Sequence, residues 1–267
     1  MKISCTDAMV PGRNLTEKAL NLKRWGFDGI AVFAEYSTWN DSNLNDLLTL
    51  EERTGIRPCE FVFMDPVYGH LMDPDPNVKN RAVEMYRHAI RICKPLGAIT
   101  EMEFDYGSQN PLPLFEPYKK MSTEEEDGFL AVLRTMGEEA RDSRAWMLIE
   151  PINRYETKYL TRLQDAAEMI HKAAKPNLGL LADFFHLSIE ESDIPASIRK
   201  AGSLIRHVHL GDSNRLLPGY GHTDWKACFQ ALKSIGFEGY LNLECGIPGD
   251  PEKELPETVR FLRQLIA

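Results

Sequence analysis

The stretch Leu22-Lys23-Arg24-Trp25-Gly26-Phe27-Asp28-Gly29-Ile30 recurs near the far end of the chain as Leu232-Lys233-Ser234-Ile235-Gly236-Phe237-Glu238-Gly239-Tyr240. In each copy the first glycine suits the left-handed backbone that closes a helix, and the chain then turns directly into a strand-forming residue. Two copies are too few for a solenoid. They read as the first and last helix-to-strand turns of a closed ring of β/α units. Between and around them, strand signals fall at Lys2–Thr6, Gly29–Phe33, Arg57–Met64, Ile99–Asp105, Trp146–Glu150, Leu178–Asp183, His207–Leu210 and Tyr240–Glu244. Each is followed by helical spacing or a long loop, which implies a parallel sheet. Eight such strands close a barrel, so the expected fold is a single-domain α/β (β/α)8 TIM barrel over residues 1–267.

Local signals agree. Ser122 followed by Glu125 has capping-box spacing and predicts a helix running to about Asp142. Leu163, Ala166, Ala167, Met169 and Ile170 form a helical stripe that belongs to core packing. The proline-rich stretches Asp73–Pro76 and Pro111–Pro117 fall in the loops after strands three and four, on the face where barrels build their sites and where they are placed to cover a substrate.

Forty acidic against 31 basic residues leave a net charge of −9, which repels polyphosphate and disfavours nucleic acid as a partner. No apolar run is long enough to span a membrane and the N-terminus lacks a signal-peptide layout, so a soluble, cytoplasmic protein is expected. The five cysteines are scattered, never in a C-x-x-C pair, and read as reduced, mostly buried thiols.

The later strands end in Glu150, Asp183, His209 and Glu244. Taken alone, an acid at a strand end is ordinarily solvated or paired with a base, and a lone histidine is as readily a core residue as a ligand. Four at consecutive strand ends converge at one barrel mouth, where unneutralised like charges would repel strongly. The set is hard and oxygen-rich, suited to Mn²⁺, Mg²⁺ or Co²⁺ rather than to a thiolate zinc site. Thr223 or Asp224 is placed to cap the helix that begins near Trp225.

Around these residues lie Glu150-Pro151-x-Asn153-Arg154-Tyr155-Glu156, Asp183-x-x-His186, His207-x-His209, Asp212-Ser213-Asn214-Arg215, Pro218-Gly219-x-Gly221-His222-x-Asp224-Trp225 and Glu244-Cys245. In these motifs, over roughly residues 145–250, the chain resembles the xylose-isomerase-like TIM barrels, and within them the ketose 3-epimerases of the D-tagatose and D-psicose type. The resemblance implies that Glu150, Asp183, His209 and Glu244 hold one divalent cation, Mn²⁺ foremost with Co²⁺ or Mg²⁺ as alternatives, and that Glu150 and Glu244 are also the acid/base pair. It further implies that Glu156, His186 and Arg215, exposed at the barrel mouth, bind the sugar, and that the protein works as a homodimer or homotetramer. The implied reaction inverts C3 of a free ketose through a metal-bound enediolate. The chemistry suits the residues, since a cation stabilises the developing oxyanion and two carboxylates serve opposite faces of one carbon. Arg154 reads equally as a partner of a ligand carboxylate or a sugar contact, His207 as a structural, hydrogen-bonded residue, and His222 as loop-organising.

The resemblance breaks at the other end of the pocket. The family often has a Gly-Pro turn after strand four and an aromatic near the end of strand one. Here the corresponding stretches are Glu101-Met102-Glu103-Phe104-Asp105-Tyr106-Gly107-Ser108 and Cys5-Thr6-Asp7, which suggests a different sugar, a sugar acid or a polyol. Competing reactions on the same scaffold are hydroxypyruvate or aldose–ketose isomerisation and inosose dehydration. A phosphorylated substrate is disfavoured because Gly246-Ile247-Pro248-Gly249-Asp250 carries no base. An abasic-site endonuclease is disfavoured by the charge and by only seven histidines, and a non-catalytic sugar-binding role leaves paired Glu150 and Glu244 unexplained.

Overall fold

The computed structural model describes residues 1–115 and 119–267. Its strands are β1 (Lys2–Thr6), β2 (Gly29–Glu35), β3 (Arg57–Met64), β4 (Ile99–Glu103), β5 (Trp146–Glu150), β6 (Leu178–Asp183), β7 (Ile205–Leu210) and β8 (Tyr240–Leu243). They form one closed parallel barrel in chain order, shut by β1 pairing with both β2 and β8. The helices are α1 (Leu15–Trp25), α2 (Asp41–Leu48), α3 (Leu50–Thr54), α4 (Pro76–Leu96), α5 (Thr123–Ala140), α6 (Leu163–Ala173), α7 (Phe184–Glu190), α8 (Ile194–Ala201), α9 (Trp225–Ser234) and α10 (Pro251–Ile266). The fold is therefore the expected (β/α)8 barrel.

Element ends differ from the sequence reading for local reasons. β2 continues to Glu35 because its pairing with β3 persists to Glu35 opposite Met64. β4 stops at Glu103, just before Asp105 takes a left-handed φ of 58°. Arg141 turns extended and Asp142 left-handed, so α5 ends at Ala140 rather than Asp142. Glu244 stands one residue beyond β8. The proline-rich stretch 111–117 runs partly outside the described residues.

The repeated motif does what its glycines permit. Gly26 (φ 91°) and Gly236 (φ 69°) are left-handed, and the N–H of Gly26 donates to the carbonyls of Leu22 and Lys23. Ser122 and Glu125 form the reciprocal capping box, and Asp224 caps α9 through the N–H of Ala227. The α6 stripe is buried. Four cysteines are buried, Cys245 is half-buried, and all are free thiols. No helix among the described residues is long and apolar enough to cross a membrane.

Strand parity sorts the core. On β7, Val208 and Leu210 join the main apolar core while His207 and His209 meet across the barrel interior with Glu60 of β3. On β4 and β8, Met102, Leu241 and Leu243 likewise join the core. Glu101 and Asn242 take the inner positions, the latter donating to Thr6 Oγ1 at 2.9 Å. The barrel interior is thus unusually polar, and its charges must be satisfied from within.

Candidate active site

Glu150, Asp183, His209 and Glu244 come together at the C-terminal mouth, each offering a ligand atom within 4.8 Å of the others. A hard cation bonds oxygen at about 2.0–2.6 Å, so ligands on opposite sides of it stand about 4–5 Å apart. The spacing fits one ion. His209 Nδ1 lies 3.1 Å from Glu244 Oε2 and 3.6 Å from Glu150 Oε1. Both His209 Nδ1 and Glu150 Oε1 are buried without a hydrogen-bond partner. Buried polar atoms left bare in this way, converging on one point, are what a cation would satisfy.

The floor beneath is built by residues that the strand-end reading missed. Glu60, fully buried at mid-β3, places its carboxylate 3.1 Å from His209 Nε2 and 3.1 Å from His207 Nε2. It therefore holds the outer nitrogen of His209 and leaves Nδ1 for the cluster. Desolvation opposes charge here, yet Glu60, Glu244 and Glu101 together hold the His209 pKa well above its ordinary value. Burial works against the Glu60 and Glu244 charges as well, and the facing imidazoles keep both carboxyls below their usual range. Glu150 is raised, mainly by burial. Glu60 could have been found from sequence as the one acid inside the apolar run of β3.

Asp183 has two jobs. Its Oδ1 caps α7, accepting from the N–H of Phe185 at 2.7 Å and of His186 at 3.2 Å, while Oδ2 faces Arg215 Nη1 at 3.3 Å. Arg215 also reaches Glu244 Oε2 at 3.4 Å and stacks 4.7 Å over the Phe185 ring. Its backbone is left-handed at φ 59°, a conformation costing about 1–2 kcal/mol in a non-glycine residue. Asp212 sustains that turn. Buried and fully accepting, it takes the N–H groups of Ser213, Gly219 and Thr223 and the indole N–H of Trp225 at 2.7–3.1 Å. Burial opposes its charge, but these donors, the Trp225 indole first, hold its carboxyl well below the usual range.

His186 corrects an expectation. It is 1% exposed, because it sits in the first turn of α7 behind Arg215 and not at an open rim. Its Nδ1 accepts from the backbone N–H of Asn153 at 3.1 Å, which in the neutral ring leaves the proton on Nε2; Nε2 stands 3.1 Å from Arg215 Nη1, so the two are neighbouring donors and not hydrogen-bonded to each other in that tautomer. Glu156 is the more open residue. It is held by Asn153 Nδ2 at 3.0 Å. Arg154 forms a fork with buried Glu190 at 2.8 and 3.0 Å. His207 Nε2 stands 3.1 Å from Glu60 but without the hydrogen bond expected of it, and the His222 N–H donates to Ser213 Oγ within its loop.

Above the cluster opens a cavity of about 460 Å³ reached by Glu101, Glu103, Glu156, His186, Arg215 and Glu244. Its other side is apolar, with Ala8, Met9, Phe33 and Met64. Tyr68 and Tyr106, from the loops after β3 and β4, complete it. A larger hollow of about 570 Å³ under residues 109–115 contains none of the clustered acids and is lined chiefly by Pro111, Leu112, Pro113, Leu114 and Phe115.

A buried acid–imidazole cluster at the mouth of a closed (β/α)8 barrel defines an enzyme class, and a family model described as xylose isomerase-like TIM barrel matches residues 20–265. The chain belongs to that family. It is 30% identical to 3-dehydro-D-guloside 4-epimerase of Escherichia coli K12 over 98% of this chain and 99% of that protein. It is 34% identical to D-psicose 3-epimerase of Enterocloster bolteae over 112 residues, a match that spans 42% of this chain and 37% of that relative. In three dimensions the crystal structure of 3-keto-D-glucoside 4-epimerase from E. coli matches with a TM-score of 0.87, covering 99% of each chain at 23% identity, and so shares the fold. The protein is thus an enzyme related to sugar epimerases and isomerases.

Proposed function

We propose that the protein is a divalent-cation-dependent sugar epimerase that inverts the hydroxyl-bearing carbon next to a ketone, foremost C3 of free ketoses of the psicose, tagatose and fructose type. The observation that carries this reading is the pairing of Glu150 and Glu244 around one cluster that opens into a sugar-sized cavity. The two acids come from β5 and from just past β8; Glu244 lines the cavity, and Glu150 is buried in the cluster beside it. One removes the α-proton from one face and the other returns a proton to the opposite face. Glu150, Asp183, His209 and Glu244 would hold the cation, with Mn²⁺ the first choice and Co²⁺ or Mg²⁺ alternatives. When bound, the cation supplies Lewis-acid stabilisation of the oxyanion that develops as the proton leaves. His186 Nε2–H and the Arg215 guanidinium donate to sugar oxygens that gain charge, and Glu156 accepts from a neighbouring hydroxyl.

One observation favours a second reading, inversion at C4 of a 3-keto glycoside. The match to the guloside epimerase is 30% identical almost end to end, whereas a probable ketose 3-epimerase of Synechocystis that spans 90% of this chain is 26% identical. Both readings place the reacting carbon beside a ketone and ask the same of Glu150 and Glu244. Proton NMR in D₂O separates them. The metal-stripped protein is given D-psicose, D-tagatose, D-fructose or methyl 3-dehydro-D-glucoside, with and without Mn²⁺. Deuterium entering C3 of a ketose, or C4 of the oxidised glycoside, together with the epimer and only with metal, is the expected result. An aldose forming with exchange at C1 or C2 would make the protein an isomerase, and loss of water would make it a dehydratase.

A further inference from the structure

The cavity wall opposite Arg215 is built from acids that the proposed reaction does not use. Glu101 and Glu103 lie on the same face of β4 and both reach the 460 Å³ cavity. Glu101 is only 2% exposed; its Oε1 accepts from the Tyr68 hydroxyl at 3.3 Å, while Oε2 has no hydrogen-bond partner. Glu103 Oε2 is also buried and unpartnered. The wall is held firmly. The Asp105 N–H donates to the Gly69 carbonyl at 3.1 Å, and the Gly107 N–H to the Glu156 carbonyl at 2.8 Å, which ties together the loops after β3, β4 and β5. Gly69 is left-handed at φ 78°, and a Cβ there would fall 2.5 Å from Tyr106 Cβ, so the close approach of the two tyrosine-bearing loops requires glycine.

Burial, and next the neighbouring Glu150, push the Glu101 and Glu103 carboxyls well above the ordinary carboxylate range; with or without the proton, their bare oxygens can exchange hydrogen bonds with sugar hydroxyls. A carboxylate or phosphate on the ligand would lose its hydration in a cavity whose described residues offer no unpaired cation in return. Arg215, the single Lys or Arg among the described lining residues, is already turned to Asp183 and Glu244. The apolar side, with Phe33, Met9 and Met64, suits the C–H face of the same molecule.

From this geometry we infer that Glu101 and Glu103, with Tyr68, form a specificity wall that reads free hydroxyl groups on the part of the sugar remote from the reacting carbon. The wall rejects sugar acids and sugar phosphates. The inference rests on the proposed sugar substrate and adds which end of it is read, and by which residues.

The test uses Mn²⁺-loaded protein and two matched pairs: D-fructose with D-fructuronate, and methyl 3-dehydro-D-glucoside with its C6 carboxylate. Deuterium exchange gives kcat/KM, and calorimetry gives Kd separately. The neutral member of at least one pair is expected to surpass its acid about 100-fold, and E103Q to narrow that gap about tenfold by weakening the contact with the neutral sugar's hydroxyl groups. E101Q serves as the second variant, with thermal melting checked for both. Equal use of the acid, or a gap unmoved by both variants, overturns the wall. Tight binding of a neutral sugar without exchange breaks the epimerase reading and leaves the wall standing. If no neutral sugar binds, the wall fails with it. Metal content is read in the same samples, because Glu101, Glu103 and Glu150 offer oxygens within 4.8 Å of one another. One ion per chain in wild type and E103Q is expected; two ions falling to one would assign these acids to a second cation and overturn the inference.

Discussion

The two halves of the barrel place their acids differently. From β5 to β8 the acids and the imidazole stand at or just past strand ends, where the mouth brings their ligand atoms within 4.8 Å. From β1 to β4 two of them sit along the strands, Glu60 at mid-barrel against His207 and His209 and Glu101 one inward position below Glu103, which itself ends β4 in register with Glu150. Depth along the strand decides the task. An acid at the rim meets its rim neighbours across the mouth, even where it is as buried as Glu150 and Asp183, whereas one a residue or two deeper must be satisfied by the barrel itself, and Glu60 is satisfied by imidazoles.

The sharpest way to break this division is to remove one rim acid. E150Q and E244Q are each expected to lower α-proton exchange by at least about a thousandfold, the scale for loss of a positioned acid or base together with a cation ligand. Circular dichroism should show a folded barrel in both. An active E244Q protein would end the two-base proposal. Next in size is D212N, which disturbs the loop that presents Arg215 from the same half. Replacing a carboxylate that accepts four donors is expected to cost about 2–4 kcal/mol in denaturant unfolding. The Asp212 carboxyl is held below its usual range in the fold, so its contribution is complete above about pH 3.9 and is lost as pH falls through the lower folded value. The stability gap between wild type and D212N should therefore stay level from pH 8 to 5 and close only in stronger acid. A gap that shrinks already at pH 6 would assign the effect elsewhere.

The first half is tested by E60Q. Glu60 touches no cavity residue of the reaction directly, and it acts by orienting His209. Loss of such an outer partner typically weakens metal binding about 10–100-fold. Calorimetric titration of the stripped variant with Mn²⁺ should show that loss, with exchange recovering at saturating metal. Unchanged affinity would reduce Glu60 to a packing residue.

These contrasts also explain what could be read from the chain itself. The rim cluster was legible because Glu150, Asp183, His209 and Glu244 each end a recognisable strand, and strand order alone makes such ends neighbours. Glu60 was only half legible: it stands out as the one acid inside the apolar run of β3, but nothing local says that it faces a histidine in a strand 149 positions away. His186 was found but misplaced, since Asp183 caps α7 immediately and winds His186 back into the protein. Glu101 and Glu103 were visible as a departure from the family pattern, but parity alone could not say that their outer oxygens would be left without partners.

The smallest effect probes the comparison at its only repeated sequence. Gly26 leads α1 into β2 in the first half, and Gly236 leads α9 into β8 in the second. Alanine at either must adopt a positive φ, which costs about 1–2 kcal/mol. The two sites are not equivalent. Gly236 lies at φ 69°, close to the left-handed minimum that side chains tolerate, and an added Cβ there meets nothing within 4 Å. Gly26 lies at φ 91°, further from that minimum, and its Cβ would touch Val259 Cγ1 at an ordinary 3.7 Å. Sterics is therefore silent at both, and any difference must come from backbone strain. G26A should destabilise more than G236A, by a few tenths of a kcal/mol beyond a common loss of about 1 kcal/mol, or roughly 2–4 °C in Tm for each. Equal losses would mean that the helix-to-strand turn relaxes to the same geometry in both halves, and that the symmetry seen in the sequence is also energetic.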